Sequence, residues 1–430
     1  MRWRPKSQMA KTALALVLNS GITSILGIVY WIAVARRYDR GDLADSAAVI
    51  STMLTLGGIA QMNLGFSMGA LLPRAGRRAG RLLVDMYLSV AIFSLAVYAF
   101  FIVAVRPHLG YFDRVVSSPF AIVALGLAFA VYNIFVLQDS ALAALGSATV
   151  VPFENAVFGG AKLLFVVALA GAIPHQGVIV SWTVPAVLLV IPISWYIYRR
   201  ALPRHTVEPT GAVRLRHAVR PVLGDYVSYL FLISSTVALP AIAVSLVGSD
   251  RAAAFSVPWM ISASLDTVAT NVGIALTIEK SRSRDTTAMS GRMTLRIFAF
   301  VALVAVAIIV AAPIALRLYG GTYAADGVGV LRLLVLAAPF RALASLAMCN
   351  ARAHGDVGFI IRMQAVTSAI VIAFALAFTR GGDIRGIAIA WLLAQLVAAG
   401  YAMLHRQRSV VSSPPQRTRV LSTAARSSTG

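Results

Sequence analysis

The 430 residues are 59% hydrophobic and only 13% charged, about half the charged content of a soluble domain, which excludes a soluble globular protein. The net charge of +22 lies in short basic runs between apolar stretches, where membrane topology places them, so it does not mark a nucleic-acid binder. Cys349 is the single cysteine, which excludes an intramolecular disulfide and a cysteine metal site; the six histidines are scattered without ligand spacing.

About 20 apolar residues cross a bilayer as a helix. The apolar run 12–35 is longer than the roughly 7–15 residues of a signal-peptide core, so it is expected to be a retained span. Further spans are expected at 46–72, 82–105, 119–138, 151–172 and 177–198; the second is long enough to tilt or to run past the membrane. Next comes Arg199 to Arg220, with six arginines, Glu208 and two prolines. Six more spans are expected at 222–247, 253–277, 294–317, 328–350, 359–379 and 384–404.

This predicts an all-α polytopic membrane protein of twelve transmembrane helices in two six-helix bundles, 1–198 and 222–404. A basic connector, 199–221, joins them, and a basic, Ser- and Pro-rich tail, 405–430, is expected to be disordered. With the N-terminus inside, and span-end charges counted with the adjoining loop, inner segments carry 26 Lys and Arg and outer loops 9. The positive-inside rule then puts both termini and the connector in the cytoplasm. A six-plus-six arrangement is common in transporters, with the substrate site between the halves. Asp42 to Ser51 and Asp250 to Ser262 both read as an acidic turn, small residues and a helix start, a weak sign of duplication.

No glycine-rich phosphate loop, nucleophile elbow or soluble catalytic domain is present, so no enzyme activity and no cofactor is expected. The informative residues are polar ones within spans. Lys162 lies mid-span, sharing a helical face with Asn155 and Gly159; an intramembrane ammonium needs a partner or a wet cavity, and a structural ion pair is the alternative. Arg332 and Arg341 are nine residues apart in the tenth span, on opposite helix faces. Arg341 continues a stripe through Ser345, Met348 and Arg352, whereas Arg332 is close enough to the end to reach the interface. Asp266, Thr270, Gly273 and Thr277 make a stripe in the eighth span. Its carboxylate suits ion coupling, or equally a salt bridge to Lys162 or Arg341. Asn19, Thr23 and Tyr30 share a face of the first span, suited to substrate contact or to helix packing. Prolines 185, 192, 240 and 258 interrupt three spans and fit helices that bend.

The segment NSGITSILGIVYWIAVARRYDRGDLADSAAV (19–49) resembles the opening of polysaccharide and O-antigen flippases of the multidrug/oligosaccharidyl-lipid/polysaccharide superfamily, including the arginine at Arg36. The segments 57–78, ENAVFGGAKLLFVVAL (154–169) with its lysine Lys162, and 333–356 are similar to later parts of the same family. The resemblance implies a V-shaped, MATE-like pair of bundles around a basic cavity that rocks between inward and outward openings without ATP. It implies an undecaprenyl-pyrophosphate-linked oligosaccharide as cargo, an envelope or exopolysaccharide precursor.

On this reading Lys162, Arg341, Arg36, Arg332 and Asn19 are substrate-site candidates and Asp266 the coupling-ion candidate. Arginine and lysine suit pyrophosphate because they donate charge-assisted hydrogen bonds. The partners expected are membrane lipids, the lipid-linked oligosaccharide, and a polymerase or glycosyltransferases of the same pathway, at the cytoplasmic membrane. The rival is a cation-coupled drug or metabolite exporter of the same superfamily, although the first span carries no acid. A major facilitator transporter is less well matched: Gly69 to Arg78 imitates its loop motif but has Pro73 where an aspartate belongs. A non-transporting membrane scaffold is a third class.

Overall fold

The computed structural model describes the backbone of residues 5–62, 64–72, 75–173, 175–204, 215–282, 291–353, 356–378 and 383–411, with some side chains left out, those of 266–282 among them. All described elements are helical. The first half contains α1 (Pro5–Arg37), α2 (Arg40–Ala60), α3 (Leu64–Leu71), α4 (Ala79–Phe100), α5 (Gly110–Val115), α6 (Pro119–Ala144), α7 (Val151–Leu169), α8 (Gly177–Tyr196) and the three-residue α9 (Leu202–Arg204). The second contains α10 (Leu215–Ser235), α11 (Leu239–Val247), α12 (Ser249–Arg282), α13 (Gly291–Tyr319), α14 (Gly321–Leu336), α15 (Ala338–Ala353), α16 (Val357–Phe378) and α17 (Arg385–Val411). Ten segments of the described residues are long and apolar enough to cross a membrane. With α1 and α12, which are 33 and 34 residues long and occupy the first and eighth predicted spans, they make the expected twelve.

Three predicted spans are broken, each with a local cause. The second splits into α2 and α3 at a turn where Met62 has φ +44. A side chain meets the freed backbone there, as a break at membrane depth requires: Tyr226 donates to the Ile59 carbonyl at 2.8 Å; beside it the Gln61 side-chain amide donates to the Asn133 side chain at 3.0 Å. The seventh splits ahead of Pro240, which has no N–H to continue the ladder, and the Ser51 hydroxyl donates to the Val237 carbonyl in the gap. The tenth splits at Ala337, two residues before Pro339. Pro185 and Pro192 sit inside α8 and Pro258 inside α12, without ending them.

Burial separates the helices by role. Of the α2 span, 72% is buried, against 22% for α13; α2 is internal, and α13 turns Leu303, Val306, Val310 and Ile314 outward as an apolar stripe at helical spacing. In the first half α1 packs along α7, α4 on α6, and α8 on α6 and α7; in the second, α10 packs on α16, α16 on α17, and α14 on α12 and α13. The halves meet where α2 lies against α11 and α12, and α1 against α12.

The apolar core follows the same division. One cluster is common to both halves, running from Tyr30, Leu43 and Phe112 to Phe255, Tyr319 and Trp391. Two further clusters stay within single halves: Met68, Leu83, Phe135, Leu142 and Ile197 in the first, and Ala351, Phe359, Met363 and Ala402 in the second. The bundles are therefore fused at the end carrying residues 36–45, 106–118 and 317–326, with contact between the halves continuing along α2 to Gly58 and Ile59, which meet Tyr229 and Tyr226.

The α16–α17 hairpin depends on a close backbone approach. A methyl on Gly386 would lie 2.7 Å from the Phe378 carbonyl oxygen and 2.8 Å from its carbon, and backbone cannot rotate aside. Gly386→Ala is expected to destabilise the protein by about 1–3 kcal/mol, read as a lowered melting temperature in detergent.

Candidate functional site

Lys162 is enclosed by aromatic rings. Gly159, one turn earlier on α7, lets α1 close: a methyl there would meet Leu26 at 2.7 Å. The contact brings Tyr30 of α1 over the lysine, held by hydrogen bonding with Ser181 of α8 at 2.8 Å. The ammonium lies 4.5 Å from the ring centroids of Tyr30 and Trp182 and 5.3 Å from that of Phe158, with the residue 8% exposed. It has no carboxylate and no hydrogen-bond acceptor among the described residues. Each ring contributes roughly 0.5–2 kcal/mol, against several kcal/mol lost on taking an ammonium out of water. What remains is an uncompensated positive charge, which favours an anion. Trp182 also borders an apolar cavity of ≈ 30 Å³ shared with Ile50, Leu54, Phe129, Tyr132 and Thr183.

The second half presents its own cation on an aromatic face. The Arg341 guanidinium, on α15, lies 5.0 Å over Trp391 of α17, and Trp391 meets Trp259 of α12 edge-on at 5.0 Å. Lys162 and Arg341 thus belong to different bundles.

The other predicted residues are placed differently. Arg332 is exposed on α14 and donates to the Ile309 carbonyl at 3.3 Å, which suits a helix-surface role. Asn19 accepts the Thr23 hydroxyl on its main-chain oxygen at 2.7 Å, and its side-chain oxygen is buried without a hydrogen-bond partner among the described residues. Asn155, on the face of α7 that carries Lys162, donates to Asp139 and to the Val151 carbonyl. Asp266 lies on α12, but its side chain falls outside the described residues, as do connector residues 205–214 and the tail from 412.

Arg36 stands at the fused end, away from Lys162. Its guanidinium is exposed and donates to the carbonyls of Leu318 at 2.7 Å and Arg317 at 3.0 Å, capping the α13 C-terminus, where a cation complements the helix dipole. It is one of several ties across this end. Asp45 of α2, 4% exposed, accepts Arg114 Nε at 2.6 Å and Nη2 at 2.9 Å, and also the hydroxyl of Ser249 at the start of α12. The Asp45 carboxylate holds the Arg114 guanidinium above its ordinary range. Arg40 meets Asp326 at 2.9 Å; both are substantially exposed, so this pair adds at most about 1 kcal/mol.

His175, in the turn before α8, meets Asp42 at 2.8 Å. The Asp42 carboxylate raises the imidazole above its ordinary 6.5, helped by Asp39. A raised folded value means stabilisation that is fully present below the unfolded value and lost as pH rises through the folded one. His175→Asn is expected to remove that loss, read as a flatter dependence of melting temperature on pH above 6.5.

Sequence reasoning missed a buried acid pair. Asp139 lies one residue beyond the predicted fourth span and Glu154 in the first turn of the fifth, so spacing alone put both at the interface. In the structure Glu154 of α7 is 3% exposed and neither carboxyl oxygen has a hydrogen-bond partner among the described residues. The Asp139 carboxyl of α6 lies beside this turn of α7: the amide of Asn155, the residue next to Glu154, donates to both Asp139 oxygens, at 3.1 and 3.4 Å. Two unit charges roughly 4 Å apart repel by about 4 kcal/mol at an effective dielectric near 20. The signal that finds such a pair is the rule that acids within a membrane span are functional until shown otherwise.

No protein-family model matches the chain, and no curated protein matches it. Solved structures do. A multidrug resistance MATE family transporter of the MOP superfamily, in an inward-facing conformation, superposes with TM-score 0.65 and 16% identity, covering 93% of this chain and 98% of that one. The lipid II flippase MurJ, in an inward closed conformation, gives TM-score 0.68 and 12% identity over 90% and 86%. A MOP superfamily transporter from Pyrococcus furiosus, described as having a binding pocket of reverse polarity, gives TM-score 0.61 and 16% identity over 96% and 98%. The chain has the MATE-like fold of these structures.

Proposed function

We propose that this protein is a flippase for an anionic lipid-linked oligosaccharide, an undecaprenyl-pyrophosphate-linked precursor of an envelope or exopolysaccharide, moved across the cytoplasmic membrane by alternating access. The observation that carries the reading is Lys162: a cation without a carboxylate partner among the described residues, held by three rings in one bundle, with Arg341 against Trp391 in the other. A pyrophosphate bridging two such groups gains charge-assisted hydrogen bonds and offsets the desolvation of the ammonium. Rings beside the cations suit sugar or isoprenoid surface, which needs apolar contact rather than charge.

Fusion of the two halves at one end, through side-chain ties that can open, supports alternating access. The charge count of 26 against 9 favours termini in the cytoplasm. The fused end is then periplasmic, and the structure is closed to the outside. The 1–198 and 222–404 bundles would rock about the connector 199–221, with a polymerase or glycosyltransferases of the same pathway as neighbours in the membrane.

The test is translocation in proteoliposomes: a lipid-pyrophosphate oligosaccharide should change leaflets without ATP. No lipid movement, together with export of a cationic drug, would replace this reading with the second one, a cation-coupled exporter, which the multidrug transporters among the similar structures favour.

A further inference from the structure

We propose that Asp139 and Glu154 form a proton-binding site in the first bundle, one proton shared by the two carboxyl groups, which couples transport to proton movement. Glu154 is enclosed with no donor to either oxygen among the described residues. An ionised carboxylate there would be both desolvated and beside a second negative charge, so the pair must carry a positive partner. The Asn155 amide donates to both Asp139 oxygens and to the Val151 carbonyl, and to neither oxygen of Glu154, which assigns the ionised role to Asp139 and leaves the proton on the Glu154 side.

A second polar group points the same way. Tyr87 of α4 is 9% exposed, its hydroxyl is buried without a partner among the described residues, and it lies near Glu154. A buried phenol is an acceptor or donor awaiting a proton carrier. The titratable groups around the pair are Tyr87 on α4, Tyr132 on α6, and Tyr198 beyond α8. Lys162 is eight residues along α7, about 12 Å at 1.5 Å per residue, with Phe158 between. No described lysine or arginine pairs with either acid. Asp139 is only half-buried, which gives the proton a way in and out.

The site is read without any cargo. Infrared spectroscopy of the full chain in lipid, grown with 13C-labelled glutamate, should show a protonated-carboxyl band at neutral pH. The chain has three glutamates, Glu154, Glu208 and Glu279, so Glu154→Gln should remove that band and Asp139→Asn should shift its frequency. Absence of the labelled band in the wild-type protein overturns the proposal, even if no variant folds. So does a band unmoved by Asp139→Asn, or one that disappears on adding sodium at constant pH, which would make the occupant a metal cation. The coupling clause rests on the transport reading above: translocation should rise with an imposed proton gradient, and lose that dependence in Glu154→Gln. A band that behaves as stated in a protein that moves no lipid would leave the proton site standing and remove the flippase reading.

Discussion

Replacing Lys162 with methionine is expected to raise stability and cut translocation. Methionine keeps the length of the side chain and the contacts with Tyr30, Phe158 and Trp182 while removing the enclosed charge. The ammonium loses several kcal/mol of hydration on burial and regains only part of it from the ring faces, so an apolar isostere should gain about 1–3 kcal/mol. Transport should move the other way. One charge-assisted hydrogen bond to phosphate contributes about 1.5–3 kcal/mol, so translocation of the lipid-pyrophosphate cargo should fall roughly tenfold to a hundredfold, and Arg341→Ala should fall comparably. A packing role would lower both readouts together, and a lysine with no part in transport would raise stability alone. Unchanged transport in both variants would remove Lys162 and Arg341 from the substrate site. A melting temperature in detergent beside the proteoliposome rate separates these outcomes.

Asp45→Asn should open the fused end. The carboxylate is nearly enclosed and joins three elements, α2, the Arg114 of α5 and the Ser249 at the head of α12. Asparagine has no charge and presents one acceptor oxygen, so at least one arm of the fork and its Coulomb term are lost. Arg114 is 53% exposed in its side chain and recovers part of its hydration, so the cost should be about 2 kcal/mol, below that of a fully buried pair. The fork to Arg114 lies within the first half; what crosses to the second is the Ser249 hydroxyl, bonded to Asp45 and at 2.6 Å to Arg114, so loosening it should shift the closed–open equilibrium by about 1 kcal/mol, roughly fivefold. The readout is the distance between spin labels at Asp39 and Arg251, both exposed on opposite halves of this end, in a Cys349→Ser background. The wild-type protein should give one short distance and the variant a second, longer population; a single unchanged distance would mean that Asp45 does not hold the halves together. Arg40→Ala, which removes an exposed pair, should change the distribution far less.

On the proposed transport reading the two variants act on different parts of one cycle, which makes their combination informative. If the anion site and the latch are independent, as their separation predicts, the stability changes should add. If closing the fused end forms the lysine cage, they should not, because α1 carries both Tyr30 of the cage and Arg36 of the tie to α13.

Much of the architecture was legible in the residues alone. Apolar runs of membrane length fixed twelve helices because the bilayer sets both the length of a span and the need to satisfy its backbone internally. Lys162 stood out for the same reason, a charge where hydrocarbon forbids one. Where the sequence misled, the cause was local. The spans 46–72, 222–247 and 328–350 read as continuous, because hydropathy does not register a backbone break whose carbonyls are met by Tyr226 or Ser51 from another helix.

The sequence could say that a cation lies at membrane depth but not what surrounds it. That Tyr30, Phe158 and Trp182 converge on Lys162, that Arg36 caps a helix at the fused end, and that Asp139 of α6 lies beside the Glu154 turn of α7 are facts of packing. Their partners are up to 282 residues apart in the chain, and no periodicity within one helix encodes a contact with another. The lone lysine announced itself through the cost of its charge; its rings, and the acid pair two turns away, became visible only when the helices were placed together.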